Sequence, residues 1–361
     1  MNYRDTYMWK EIAQSESVVE KLFPAIAPTV NEITTACEMR QIKHIFLAGR
    51  GTSDHALLFF KYVTEINSPY TASLVAPSVV TMYDGKADFS GSLVIGCSQS
   101  GCAADVRAIV ERANEQGAVT VAITNDEQSP LAKEAKYHLF LNAEKEISVA
   151  ATKTFTAQLY TLLTLSCALA KRADLVAKYA TLSTRMASYY AQADFLTDAD
   201  AQELKSVNDG FILARGITCA IAFESALKLA ETSYMKMRGY ASSDFYHGPM
   251  AMVDEGTKVL LYAPSASTGS AERDEAHLQD RKKCIEKMLS LKANLTIITD
   301  DEALNEYASQ AKIAIFDRIG DEIESAFAFA LYAQMLACKT SCLKGNNPDS
   351  PKALQKVTVT V

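Results

Sequence analysis

The chain is poor in the residues that most readily betray a chemistry. It carries one tryptophan, five histidines and nine prolines in 361 residues. Its eight cysteines are scattered at positions 37, 97, 102, 167, 219, 284, 338 and 342, with no CxxC pair. That spacing excludes a zinc ribbon and a dithiol redox motif. Cys338 and Cys342, four apart, could supply half a metal site. No histidine lies near them, so buried apolar thiols are the plainer reading and no metal or cofactor is implied. Cysteines set inside apolar segments suit a reducing compartment. No uninterrupted apolar run reaches about 18 residues, which argues against a membrane-spanning helix. The start, Met1-Asn2-Tyr3-Arg4-Asp5, lacks the apolar core of a signal peptide. The net charge is -7 and no basic cluster interrupts it, so nucleic acid and anionic membranes are poor partners. These exclusions lead to the expectation of a cytoplasmic protein. What is present fits a globular chain: 48% hydrophobic and 22% charged residues, with length enough for two domains.

Residues 5 to 40 read as helical, because Trp9, Ile12, Val18, Val19, Leu22 and Phe23 recur at helical spacing. Strands and helices then alternate, as in a parallel sheet with helices on both faces. His44 to Ala48, a short stretch at Leu74 and Val75, Leu93 to Cys97, Val119 to Thr124 and His138 to Leu141 read as strands. Asp54 to Ile66, Ala103 to Ala113 and Ala150 to Lys171 read as helices.

Near residue 210 the pattern starts again. Phe46 to Ser53 resembles Ile212 to Thr218, with Arg50 and Arg215 offset by 165. Val121 to Asp126 resembles Thr296 to Asp301, at an offset of 175. Two matches in the same order predict a duplicated α/β unit, joined by a helical stretch from about 172 to 209. The predicted divisions are an N-terminal helical segment at 1–40, one subdomain at 41–190, a second at 191–345 and a tail at 346–361.

The halves differ where chemistry would sit. Ser98-Gln99-Ser100-Gly101 follows the strand Leu93 to Cys97 and precedes a helix. A strand, a polar turn and a helix start present backbone N–H groups and the positive end of a helix dipole to one point. Hydroxyls there add neutral donors, so the turn predicts a phosphate held without lysine or metal. The later half has Ala263-Pro264-Ser265-Ala266-Ser267 instead and no counterpart to Gly101. The phosphate is therefore expected in the first half alone. Thr52 and Ser53 follow a strand in the same manner, and capping competes there with ligand binding. Gly49-Arg50-Gly51-Thr52-Ser53-Asp54 lacks the third glycine of a dinucleotide fingerprint.

Three further places could carry chemistry. Lys228 and Glu231 share a helix face in ALKLAETSY. They are either an exposed ion pair, common and weak, or a carboxylate poised for proton transfer beside a cation. His247 sits before Gly248-Pro249 in a rigid turn. It is either a proton carrier near neutral pH or a histidine bonded to backbone. Thr152 and Lys153 stand where a loop enters a long helix, so their groups could cap it or line a pocket.

Together these residues resemble the sugar isomerase (SIS) family, and more closely the isomerase domain of the glucosamine-6-phosphate synthases. The GTS turn, the SQSG loop, EISVAATKTFTAQL, ALKLAETSY, the HGP turn and the tail SPKALQKVTV occur in that family's order over nearly the whole chain. The resemblance implies two flavodoxin-like SIS subdomains, each a parallel sheet flanked by helices. It implies a phosphate cradle at Ser98, Gln99 and Ser100 with Thr52 and Ser53 nearby, and sugar contact at Val149. Glu231 would move a proton between C1 and C2, and Lys228 would face the sugar. His247 would open the ring, reaching the site from the other subunit of a homodimer. Lys356 would close over the substrate with the tail. Ala103 departs from the family's usual threonine and Ala151 from its usual serine.

The synthases carry a glutaminase domain whose nucleophile is an N-terminal cysteine, whereas Asn2 follows Met1 here. The expectation is therefore a glucosamine-6-phosphate deaminase: an amino sugar phosphate is isomerised and ammonia released, with no metal. The alternatives are a related isomerase, a fructosamine-phosphate deglycase, or a regulator that binds a sugar phosphate without turnover. A regulator would not need both Glu231 and His247, and no basic helix-turn-helix segment accompanies them.

Overall fold

The computed structural model describes residues 1–317 and 319–356. It divides into two compact units. One comprises Ala13–Arg185 with residues 353–356; the other comprises Met1–Ile12 and Met186–Lys352.

The first unit is built on five parallel strands: β1 (His44–Ala48), β2 (Thr71–Leu74), β3 (Leu93–Cys97), β4 (Val119–Thr124) and β5 (Tyr137–Phe140). Their order is β2-β1-β3-β4-β5, the flavodoxin-like doubly wound arrangement. β3 and β4 are buried along their whole length, which is why they read as unbroken apolar runs. The helix Ala104–Glu115 covers the sheet with Val106, Ile109, Val110 and Ala113, one face at helical spacing. The helix Ser15–Met39 runs through Pro24 and Pro28, so the periodicity of Val18, Val19, Leu22 and Ile26 outweighs the local cost of proline.

The second unit repeats this plan with β6 (Asp209–Ala214), β7 (Lys236–Ala241), β8 (Lys258–Ala263), β9 (Asn294–Thr299) and β10 (Lys312–Ile315). Their order, β7-β6-β8-β9-β10, is the same topology. Register repeats as well: Ala48 lies opposite Gly96 and Leu213 opposite Leu261. The duplication expected from the sequence is thus a duplicated sheet, and the expected α/β class is the observed one.

One helix of this unit, Glu322–Leu343, is long and apolar enough to cross a membrane by length and composition, yet 94% of its apolar window is buried. Scattered polar residues hide its length from a search for unbroken apolar runs. In the first unit, β2 covers Thr71–Leu74 rather than Leu74 and Val75. Val75 N–H instead donates to Leu47 O at 2.8 Å, just past the strand.

Candidate active site

In each sheet the strand order reverses beside its first strand, between β1 and β3 and between β6 and β8. Ligands of open α/β sheets bind at the carboxyl ends of such strands. In the first unit that edge carries the Gly49–Ser53 turn after β1 and the Ser98–Ala103 loop after β3.

The second of these loops is stitched to its neighbour. Ser98 N–H donates to Ile123 O at 3.0 Å, and Gln99 O accepts from Asn125 N–H at 2.9 Å. Ser100 Oγ accepts from Cys102 N–H at 3.3 Å. Gly101 has φ +64°, and a Cβ there would lie 2.1 Å from Ser129 Oγ, so the turn admits no side chain. The helix that follows starts at Ala104 with no side-chain cap, and the helix Thr52–Asn67 starts with none at Gly51. Within these starts Ser53 N–H donates to Arg50 O at 3.1 Å and Asp54 N–H to Gly51 O at 3.0 Å, while Val106 N–H donates to Asp105 Oδ1 at 2.9 Å; the positive end of each helix dipole still faces the sheet edge. Ser53 Oγ is buried and accepts from Gln158 Nε2 at 2.9 Å. Thr52, the first residue of its helix, is partly exposed.

The helix Lys153–Leu169 is closed differently. Glu146, fully buried, accepts from Thr152 N–H at 2.9 Å, Thr154 N–H at 3.1 Å and Thr154 Oγ1 at 2.7 Å. Lys356 Nζ donates to the same carboxylate at 2.6 Å and to Ser148 O at 2.7 Å. Burial pushes the Glu146 carboxyl up, but Lys356 and these donors outweigh it and hold it below the usual range. Thr152 makes no side-chain cap of its own; the capping carboxylate is Glu146, which spacing from the helix start does not single out. Lys153 is buried and donates to Gln14 Oε1 at 2.7 Å, a structural contact. Val149 lies partly exposed beside Ser148. Lys356 is the last described residue of the tail; Val357 to Val361 lie outside the described residues.

The second unit holds Lys228, Glu231 and His247. Lys228 and Glu231 are not an exposed pair: the lysine side chain is 1% accessible and the glutamate 22%. Their distance is 2.5 Å. A second carboxylate, Glu224, also 1% accessible, stands 3.4 Å from Lys228 Nζ. Burial works against the lysine's charge, but Glu224 and Glu231 outweigh it and hold the ammonium well above its ordinary range. The helix Cys219–Ser233 presents all three on one face because they stand at i, i+4 and i+7. Glu224, four residues before Lys228, is signalled in the sequence only by that helical spacing. His247 is exposed in the turn after the short helix Ser242–Phe245. Its backbone N–H donates to Asp244 O at 3.0 Å. Its ring has no hydrogen-bond partner among the described residues, so the backbone-bonded histidine is not what forms.

The later unit spends its equivalent donors on itself. Asp300, buried, accepts from Ser265 N–H at 2.8 Å and Ser265 Oγ at 2.7 Å. Glu322 Oε1 accepts from Ile217 N–H at 3.2 Å, in the turn matching Thr52 and Ser53. A cavity of about 520 Å³ nearby is lined by Asp274, Glu275, Asp300, Asp301 and Glu302 with one cation, Arg281, which is paired with Asp301 at 2.9 Å, a lining whose acid excess disfavours phosphate. Cys338 and Cys342 are buried, and Cys338 Sγ lies 3.5 Å from Thr6 Oγ1.

The fold and these motifs define an SIS protein, and the family comparison agrees: the SIS domain matches at residues 38–168 and again at 203–344. The chain belongs to that family and carries the domain twice. It is homologous to the isomerase domain of glutamine–fructose-6-phosphate aminotransferase. The isomerizing aminotransferase of Sulfolobus acidocaldarius is 29% identical over 98% of this chain and 56% of its own length. The chain thus spans about half the length of the curated relatives it matches. The C-terminal domain of glucosamine-fructose-6-phosphate aminotransferase from Francisella tularensis superimposes with a TM-score of 0.83 at 26% identity, covering 96% of this chain and 98% of that one. Glucosamine-6-phosphate deaminase from Thermotoga maritima shares the fold, with a TM-score of 0.77 at 22% identity over 98% of this chain and 100% of its own.

Proposed function

We propose that the protein is a sugar-phosphate isomerase whose reaction on an amino sugar phosphate ends in deamination: glucosamine 6-phosphate and water give fructose 6-phosphate and ammonia. The buried lysine held against a solvent-touching glutamate carries this reading. Lys228 fixes the Glu231 carboxylate in one orientation, as a base that moves a proton between adjacent carbons requires.

In the proposed sequence the phosphate is gripped by Ser98, Gln99 and Ser100 with Thr52 and Ser53, and Val149 touches the sugar. His247 passes a proton to the ring oxygen and opens the pyranose. Glu231 removes the C2 proton as O1 gains one, giving an enolamine, and returns it to C1 as the nitrogen gives one up, which leaves a C2 imine with a C1 hydroxyl. Water adds to the imine carbon, and ammonia leaves with the ketose. Lys356 closes the tail over the substrate. Positioning supplies much of the acceleration, with general acid–base help of about 10²–10⁴-fold. The reading includes a homodimer in which His247 serves the partner's sugar, and a cytoplasmic location suited to eight unpaired thiols.

A coupled assay tests it: purified protein, glucosamine 6-phosphate, and separate readouts for ammonia and fructose 6-phosphate. Equal release of both is expected. Interconversion of fructose 6-phosphate and glucose 6-phosphate with no ammonia from glucosamine 6-phosphate would leave a plain isomerase; ammonia from fructosamine phosphates alone would leave a deglycase. Mixing Glu231→Gln and His247→Ala variants should restore turnover if the histidine acts across a dimer, and would leave the mixture inert if it acts within one chain.

A further inference from the structure

The duplicated plan keeps one ion pair in both units but uses it differently. Arg50 Nε donates to Asp105 Oδ2 at 2.7 Å, and Arg215 Nη1 donates to Asp280 Oδ1 at 3.1 Å. Asp280 follows Asp105 at the offset of 175 that relates β4 to β9. In each case the turn after the first strand of the sheet is tied to the helix after the next strand of the core.

The surroundings diverge. Asp105 is 4% accessible, while Asp280 is 35% accessible. Asp105 is the second residue of its helix, immediately after the Ser98–Ala103 loop. Asp280 lies deep within the helix Ala271–Ser290, far from its start. The first pair therefore holds a guanidinium through Nε at the second residue of the helix that leaves the hydroxyl loop, on a half-exposed side chain. The second pair sets its guanidinium beside a unit whose loop donors are already bonded to Asp300 and Glu322.

We propose that Arg50 is a specificity residue for the phosphate group and that Asp105 is the positioning residue that aims it. The inference rests on the phosphate-cradle reading of the Ser98–Gly101 loop. A planar guanidinium matches phosphate geometry with paired N–H bonds, and a charge-assisted pair of that kind is stronger than a neutral hydroxyl contact.

The test compares Arg50→Ala with Arg215→Ala, using inorganic phosphate as the probe. Phosphate raises the melting temperature of any protein that binds it in the folded state. Arg50→Ala should weaken the apparent phosphate affinity by about ten- to a hundredfold, Arg50→Lys should recover part of it, and Arg215→Ala should leave it unchanged. In turnover assays Arg50→Ala and Asp105→Asn should raise KM for the sugar phosphate with kcat within about threefold. Equal melting shifts with phosphate in wild type and Arg50→Ala would overturn the proposal. So would equal losses in Arg50→Ala and Arg215→Ala, which would make both pairs mere clamps of the fold. The binding readout needs no turnover: a protein that binds phosphate through Arg50 but releases no ammonia would sink the deaminase reading and leave this one standing.

Discussion

Lys228 Nζ and Glu231 Oε2 meet at 2.5 Å one helical turn apart, the lysine sealed from solvent and the carboxylate reaching it. The lysine is also the counter-ion of Glu224. Removing it strands two carboxylates, one of them fully buried. Lys228→Ala should cost about 3–5 kcal/mol of folding stability, the range for breaking a buried ion pair, and urea unfolding measures it. Glu231→Gln keeps the volume and one acceptor. It should bind glucosamine 6-phosphate with little change and release ammonia at less than about one-hundredth of the wild-type rate. Full ammonia release by that variant would remove Glu231 from the base's role.

Gly101 stands in a backbone region that L side chains avoid, with Ser129 directly against it. Gly101→Ala should destabilise the protein by at least about 1 kcal/mol and abolish stabilisation by inorganic phosphate. Calorimetric melting with and without phosphate checks both outcomes. An unaltered phosphate shift would place the anion elsewhere.

Glu322 is pushed up to about 7, first by burial and then by its neighbours Asp321 and Asp300, against the Ile217 N–H and Arg281. The folded state thus binds this proton more tightly than the unfolded chain, whose carboxyl titrates at about 4.3. Its contribution to stability is complete below the unfolded value and drains away as pH rises through about 7. Glu322→Gln should therefore raise the melting temperature at pH 8 and change it little at pH 5. The reverse pattern would show a carboxylate that the fold prefers charged.

Glu146 is the opposite case. Its carboxyl is held low in the fold, so its contribution is present above the ordinary carboxylate pKa and lost as pH falls through the folded value. Lys356→Met takes away the cation that does most to hold it there. The acid-unfolding midpoint should move to higher pH in that variant. An unmoved midpoint would mean that the ammonium contributes nothing to Glu146 in solution.

Much of this was legible from residue order. Apolar runs marked the four strands β1, β3, β4 and β5 within a residue or so, because buried parallel strands have few polar positions. The doubled topology followed from two short matches around Arg50 and Arg215 and around Thr124 and Thr299. What escaped depends on contacts between distant segments. Spacing alone could not tell that Lys228 is sealed, since burial depends on elements distant in sequence; its own helix packs against Glu322–Leu343, where Ser341 Oγ donates to Thr232 O at 2.7 Å. Nor could it show that Glu146 caps a helix six residues on. A carboxylate before a helix start is a capping signal, but Ile147 to Ala151 intervene, and the loop must fold back to bring it there. Asp300 and Glu322, which fill the later unit's donors, look in sequence like surface acids.

The internal carboxylates of the later unit have one more effect. A loop already saturated by Asp300 and Glu322 gains nothing when an anionic guest arrives, whereas the loop around Ser100 and Gly101 does. Ligand-linked rigidity should then be lopsided. Amide protons around β1 and β3 would exchange more slowly in the presence of a phosphorylated sugar, while those around β6 and β8 would keep their pace, a polarity imposed on two halves that otherwise share one blueprint.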